Sequence, residues 1–450
     1  MTTLHPNPEC RADVGRPGWR AGAATLHFPV AVGTPLDGYA ARTAPSTGTL
    51  DDLSVSALVI ERASQRLVLV TADVAAVDRA LVLDIVTRAG LQESAVFICA
   101  SHTHSGPAGL IPRLHPSQPD RLDRALRSAF ITACSNVIAI ARSHLQPVTL
   151  HLGRATTDGI CANRNDPTGL ADDTITTIAA RRLDGSLLAT LVHFTCHPTV
   201  LGPDNMLVSA DLGGAARRFF SLELPRTTDP AVVLFANGAA ADVSSRFTRR
   251  DQGPGEVARL GSQLAVAAYR ALMAATPVEG ELRYGRTQGQ LLPRLASEGA
   301  ATIPGGSPAG GRHEPSSSAA ERRRFASTTE GAALATGLPS VAPAETEIVL
   351  DGVAIGDLAL LAIPGELLTN LGRTIVDDSP FATTLVLGYT NGYLGYFADS
   401  AADAVATYET LASPFAPTAG DTVVRLARDL LSRLAKQTGE AAMGDYIPQP

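Results

Sequence analysis

Five stretches of this chain obey one grammar, an apolar run of strand length that ends in small, polar or ionisable residues: VFICASHTH, LLATLVHFTCHPT, VVLFANGAAADVSS, LALLAIPGE and TLVLGYTNGYLGY. Such runs read as buried strands. Between them the period changes. SALVIERASQRLVLVTADV (residues 56–74) reads as two β-rich runs joined by a polar turn, whereas RALVLDIVTRAG places Leu81, Leu83, Ile85 and Val86 at helical spacing and closes on Gly90. DRLDRALRSAFITACSNVIAIARSHL is the longest amphipathic helical pattern. Strands alternating with helices predict an α/β fold of mixed, twisted β-sheets flanked by helices. In that architecture rigid strands hold the loops beyond their ends, where sites assemble, so the five endings predict one common site.

Composition narrows the partners. With 450 residues, 45% of them hydrophobic, the chain can bury a large core, and a net charge of −7 leaves no basic excess to neutralise a nucleic acid. No stretch of about 18 apolar residues occurs, and MTTLHPNPECRADVGRPGWRAG lacks the apolar segment of an export signal, so no stable membrane insertion and a cytoplasmic location are expected. Five cysteines (Cys10, Cys99, Cys134, Cys161, Cys196) are odd in number and unclustered, which predicts reduced thiols. An irregular segment is expected over 1–23 and one large ordered domain over about 24–440. Within that domain, residues 292–345 turn to Gly, Pro, Ser and Ala with an ERRR cluster and read as a mobile insertion or lid; the tail GEAAMGDYIPQP reads as frayed.

His102 and His104 stand two residues apart where VFICASHTH leaves its strand, and on an extended backbone both imidazoles face one side. A lone His-x-His pair equally suits polar residues that satisfy hydrogen bonds at a strand end. His197, in HFTCHPT, repeats the order of strand, histidine and a proline that stops pairing. Of the ten histidines, His102, His104, His193 and His197 lie at strand ends, and the others show no partner spacing. Glu366, in IPGELLTNLGRTI, is expected in the first turn of a helix, where the dipole favours a carboxylate without any further role. Tyr396 and Tyr408 suit packing on a β-edge as well as ligation. Asp73, Asp211 and Asp242 also close apolar runs and read either as carboxylates that orient ligands or as turn residues.

Taken in order, SHTHSGP, NRNDP, CHPT with LVSADLGG, ANGAAADVSS, IPGE, and NGYLGYF with a downstream YE resemble the motif series of the neutral, non-lysosomal ceramidase family, from about residue 24 to about 435. The resemblance implies a single large zinc-hydrolase domain with His102, His197, Glu366 and Tyr396 at the positions of the family's zinc ligands. It implies that His104 stands for a histidine of the family that either supports the metal ligands or is catalytic, Arg164 for an arginine lining the site, and Tyr408, twelve residues past Tyr396, for a tyrosine that touches substrate. Ser244 occupies the serine of the family's Gly-Asp-x-Ser-Pro motif, described there as essential and sometimes as the nucleophile. The chain departs from the pattern in two places. AADVSSRF has Ala241 for the glycine and Ser245 for the proline, and Arg164 is followed by Asn165, Asp166 and Pro167 where the family has Ser-Pro and a tyrosine-containing stretch. The family's C-terminal β-sandwich is not expected after about residue 440.

What the resemblance implies is a Zn²⁺-dependent amidohydrolase that cleaves the N-acyl bond of ceramide or a related N-acyl compound with metal-activated water, its partner a small-molecule or sphingolipid-like substrate. Two imidazoles, a carboxylate and a phenol suit Zn²⁺, which takes N and O donors at about 2.0–2.2 Å. Two routes stay open: attack by activated water, with His104 moving protons and Arg164 and Tyr408 serving the oxyanion, or attack by Ser244 through a covalent acyl-enzyme. An esterase or lactonase on the same scaffold and a non-catalytic, zinc-stabilised binding homologue stay open as well. Aromatic residues make up only 5% and no basic amphipathic helix stands out, which keeps smaller, more soluble N-acyl substrates beside ceramide.

Overall fold

The computed structural model describes residues 18–294, 345–404 and 406–437. Its largest element is a nine-stranded mixed sheet. Strands β1 (Trp19–His27), β2 (Ser54–Arg62), β3 (Gln65–Ala72), β4 (Val96–Ala100), β5 (Gln146–Thr156), β6 (Thr174–Arg182), β7 (Leu187–Phe194) and β8 (Val232–Asn237) lie in the order β8-β7-β6-β5-β1-β2-β3-β4, and the short strand Thr276–Pro277 pairs with β5. The centre is antiparallel, but the outermost pairs, β3 with β4 and β7 with β8, are parallel. A second sheet contains β9 (Leu282–Leu291), β10 (Thr346–Ile355), β11 (Leu358–Ala362) and β12 (Thr383–Leu387), with β11 and β12 parallel.

The period of two in the strands sets the layers. Along β2, Val55, Ala57 and Val59 face a core shared with helices α1 (Arg79–Ala89) and α2 (Arg124–Ser143), whereas Leu58 and Ile60 face the second sheet. Helices α3 (Asp211–Glu223) and α4 (Pro254–Met273) cover β6, β7 and β8. On the far side of the second sheet, α5 (Thr369–Asp377) and α6 (Ala419–Lys436) pack on Ile348, Leu350 and Leu361. The result is a sandwich of two sheets between two helical layers, in keeping with the expected α/β class.

Several local expectations change. Residues 56–74 do form an antiparallel hairpin, with Val55 opposite Ala72. The first strand starts at Trp19, inside the segment expected to be irregular, because Trp19 and Ala21 are buried under β2 and β5. In α1, Asp78 caps the first turn by accepting the Leu81 N–H and Gly90 closes the helix in the left-handed region, but Val82 is buried and Leu83 exposed. Glu366 is not in a helix: Glu366–Leu367 forms a two-residue parallel bridge to Tyr396–Phe397, and α5 starts at Thr369. The predicted insertion joins neighbouring antiparallel strands, Leu291 facing Thr346, but residues 295–344 themselves lie outside the described residues, as does the tail after 437. Cys99, Cys134, Cys161 and Cys196 are free thiols. Among the described residues no helix is long and apolar enough to cross a membrane.

Candidate metal centre and active site

The three parallel strand pairs bring their C-terminal ends together, and one buried side chain ties them. Asn237, at the end of β8, accepts the Cys196 N–H at 3.1 Å and the Gly238 N–H at 2.9 Å on Oδ1. Its Nδ2 donates to the Cys196 carbonyl at 3.0 Å and the Ser101 carbonyl at 3.4 Å, while its own carbonyl accepts the Gly388 N–H at 3.0 Å. The Ala100 N–H donates to the Tyr389 carbonyl and the Asn391 N–H to the Ile98 carbonyl, which fastens the segment after β12 to β4. The five strand endings therefore surround one point, although they come from two sheets.

His102 follows β4 with a φ of 66°, a left-handed conformation that non-glycine residues seldom adopt and that clusters at functional sites. Its Nδ1 donates to the Ala75 carbonyl at 2.7 Å, and Nδ1 of His197 donates to the Ala240 carbonyl at 3.0 Å. An imidazole that donates from Nδ1 and is not doubly protonated carries its lone pair on Nε2. The two Nε2 atoms are 3.2 Å apart, and Nε2 of His104 lies 3.3 Å from that of His102. Glu366 Oε2 lies 3.5 Å from His102 Nε2 and 3.7 Å from His197 Nε2. The other carboxylate oxygen accepts the Tyr393 hydroxyl at 2.5 Å, whereas Oε2 is buried without a hydrogen-bond partner among the described residues. Acceptor atoms held this close repel one another unless a cation lies among them. A tetrahedral ion with bonds of about 2.0–2.1 Å sets its donors about 3.3 Å apart, so the donor set fits a metal ion. The three histidines form one buried, metal-competent cluster.

Neighbouring rings fix the cluster. Tyr389 lies flat on His102, with centroids 4.0 Å apart and 17° between planes, and Tyr39 meets His104 edge-on at 4.8 Å. Burial, reinforced by His102, Arg164 and Arg42, holds His104 well below the usual imidazole range; burial and the Arg164 charge do the same to His197. His104 differs from the other two histidines in one respect. Its Nδ1 is buried with no hydrogen-bond partner among the described residues, so no carbonyl selects its tautomer.

Tyr396 stands beside Glu366 in the register of the parallel bridge, and its hydroxyl accepts from Arg164 Nη2 at 3.2 Å. Arg164 Nε donates to Glu409 Oε1 at 2.6 Å, and Asn165 Nδ2 to Glu409 Oε2 at 2.8 Å. Burial would raise the Glu409 carboxyl, but the Arg164 charge and the Asn165 bond outweigh it and hold it below its usual value. Tyr408 packs perpendicular to Tyr396 at 5.7 Å, under the Arg164 guanidinium. Ser244 forms a parallel bridge with His197, and its Oγ accepts the Arg246 N–H at 3.2 Å, capping the turn Ser245–Phe247. Among the described residues no imidazole or carboxylate hydrogen-bonds to Ser244. His102, His104, Arg164, Ser244, Glu366, Tyr396 and Tyr408 line one cavity of about 310 Å³, and His197 is fully buried behind its wall.

The three aspartates do not orient the histidines. Asp73 pairs with Arg217, Asp211 accepts the Val200, Leu201 and Leu212 N–H groups, and Asp242 accepts from Thr369 and Asn163. The carbonyls of Ala75 and Ala240 take that role. Sequence reasoning also passed over Tyr389, Tyr393, Glu409 and Asn237. All four stand in quoted motifs, but residue spacing does not say which of several tyrosines reaches a carboxylate.

A family model described as neutral/alkaline non-lysosomal ceramidase, N-terminal, matches residues 29–254. Two solved structures share the fold: a neutral ceramidase from Pseudomonas aeruginosa, 20% identical with a TM-score of 0.73, and a ceramidase complexed with C2, 20% identical with a TM-score of 0.74. Each comparison covers 94% of this chain and 76% of the other. The chain belongs to the neutral/alkaline non-lysosomal ceramidase family and is a hydrolase acting on an amide bond.

Proposed function

We propose that the protein is a Zn²⁺-dependent amidohydrolase that cleaves the N-acyl bond of ceramide or a related N-acyl compound. The observation that carries this reading is the convergence of His102 Nε2, His197 Nε2 and Glu366 Oε2, with both Nδ1 atoms held by carbonyls. These three residues, with Tyr396 next to Glu366, would hold the ion. When bound, Zn²⁺ would polarise the acyl carbonyl and lower the pKa of water toward about 7.

The chain's own residues supply the rest. His104, neutral at rest, takes a proton from the attacking water on Nε2 and returns it to the departing amine nitrogen. The water oxygen joins the acyl carbon, the C–N bond breaks, and the amine leaves protonated. Arg164 and Tyr408 donate to the developing oxyanion from the cavity wall, with Glu409 and Asn165 steadying the guanidinium. Ser244 serves as a turn cap, which favours the water route over an acyl-enzyme.

Metal analysis combined with product identification on ceramides and simpler N-acyl amines tests the reading. One Zn²⁺ per chain is expected, with turnover lost on chelation and regained on adding the ion. Full activity in metal-free protein overturns it.

A further inference from the structure

Resting on the Zn²⁺ reading above, we infer that Tyr393 is a positioning residue: its hydroxyl reserves one oxygen of Glu366, so the carboxylate meets the metal through Oε2 alone and a coordination position stays open for the reacting oxygen. The two oxygens of Glu366 are unequal. Oε1 accepts the Tyr393 hydroxyl at 2.5 Å, whereas Oε2 is buried without a hydrogen-bond partner among the described residues, 3.5 Å from His102 Nε2 and 3.7 Å from His197 Nε2. A hydroxyl this close to a carboxylate makes a charge-assisted bond, about twice as strong as a neutral one. A carboxylate that turned to chelate with both oxygens would give that bond up.

The backbone holds Tyr393 and Glu366 together. The Thr390 N–H donates to the Ile363 carbonyl at 3.0 Å, the Leu394 N–H to the Pro364 carbonyl at 2.9 Å, and the Glu366 N–H to the Gly395 carbonyl at 2.9 Å. These bonds bracket Tyr393 on both sides and tie its segment to the one that carries Glu366. Its ring faces that of His102, with centroids 6.1 Å apart and planes at 27°. Tyr396, three residues on, is used differently: its hydroxyl accepts from Arg164 Nη2 at 3.2 Å.

Tyr393, like Glu366, lines the cavity. A catalytic metal site needs a position that the protein does not fill. His102, His197, Glu366 and Tyr396 supply one donor each in the proposed site, and a second oxygen from Glu366 would take the place that water and the acyl oxygen need. A hydrogen bond to a metal-binding carboxylate fixes how that carboxylate binds, and losing such a partner commonly costs about 10–100-fold in activity or metal affinity.

The test uses Tyr393→Phe, which keeps the ring and removes only the hydroxyl, on the full-length protein loaded with Co²⁺ in place of Zn²⁺. Wild type and variant are both expected to take up one equivalent of Co²⁺. Azide, a small ligand for an open metal position, is then titrated while the visible Co²⁺ bands are followed. Its affinity should fall about tenfold or more in Tyr393→Phe, and kcat on a cleaved N-acyl compound about 10–100-fold, with KM changed less. Azide binding as tight in the variant as in wild type overturns the inference and leaves the Zn²⁺ reading intact. Loss of Co²⁺ from the variant overturns it too, because a carboxylate with both oxygens free should hold the ion at least as well. X-ray absorption on the Zn²⁺-loaded wild type needs no variant: the short metal-to-carbon distance of a chelating carboxylate overturns the inference, and its absence supports it. A wild type that binds neither ion overturns the Zn²⁺ reading itself and this inference with it.

Discussion

The Nε2 atoms of His102 and His197 lie 3.2 Å apart although 95 residues separate them in the chain, and each ring is backed by a carbonyl, of Ala75 and of Ala240. Two lone pairs held face to face in a buried site make the native state favour a bound cation. Metal should therefore raise the midpoint of thermal unfolding, since a ligand that binds only the folded chain stabilises it. His102→Ala and His197→Ala should each lose the metal and turnover together, read by elemental analysis and product assay. A variant that keeps a full equivalent of metal would contradict this arrangement.

Arg164, on the cavity wall, pairs with Glu409, which is fully inaccessible. Glu409→Ala leaves that guanidinium without its carboxylate, so urea unfolding should show a loss of up to about 3 kcal/mol, the low end for a broken buried pair because Arg164 reaches the cavity. Glu409→Gln keeps an acceptor and should cost less.

Gly38 approaches His104 so closely that a Cβ would fall 2.3 Å from its Cγ and 2.7 Å from its Cα, and its φ is +101°. Gly38→Ala should displace the imidazole and lower kcat by up to about 10²-fold, the effect of an ångström-scale misplacement. Metal content should be retained, because His102, His197 and Glu366 are not touched.

Ser244→Ala should keep hydrolysis within about tenfold of wild type and cost about 1 kcal/mol as a lost cap. Intact-mass spectra taken during turnover should show no acyl adduct. A serine-bound acyl group would restore the nucleophile mechanism.

His115, on the cavity wall, is held by burial from the ordinary 6.5 down to about 4. As pH falls the unfolded chain takes up that proton first, so the contribution is complete above about 6.5 and is lost progressively toward about 4. At about 1.4 kcal/mol per unit, up to about 3 kcal/mol is at stake. The unfolding free energy of wild type should fall relative to that of His115→Gln as pH drops through that interval, and parallel curves would show that the group is not responsible.

Where the strands end, and which ionisable groups stand there, is legible in the residues alone. The apolar runs must be buried, and His102, His104, His197, Glu366 and Tyr396 follow them closely enough to be carried to a strand end. The layered α/β class is legible there too, since periods of two and of 3.6 leave few other ways to hide these faces. The tertiary structure alone decided that the five ends meet, through Asn237 and the contacts of Ala100 and Asn391 across two sheets. It decided that Glu366 enters a parallel bridge instead of a helix, that Tyr393 takes one carboxylate oxygen, and that the carbonyls of Ala75 and Ala240 set the imidazoles. The reason is physical: every residue has a backbone carbonyl, so no letter marks the one that orients a histidine, and long-range strand placement depends on the packing of all the layers at once.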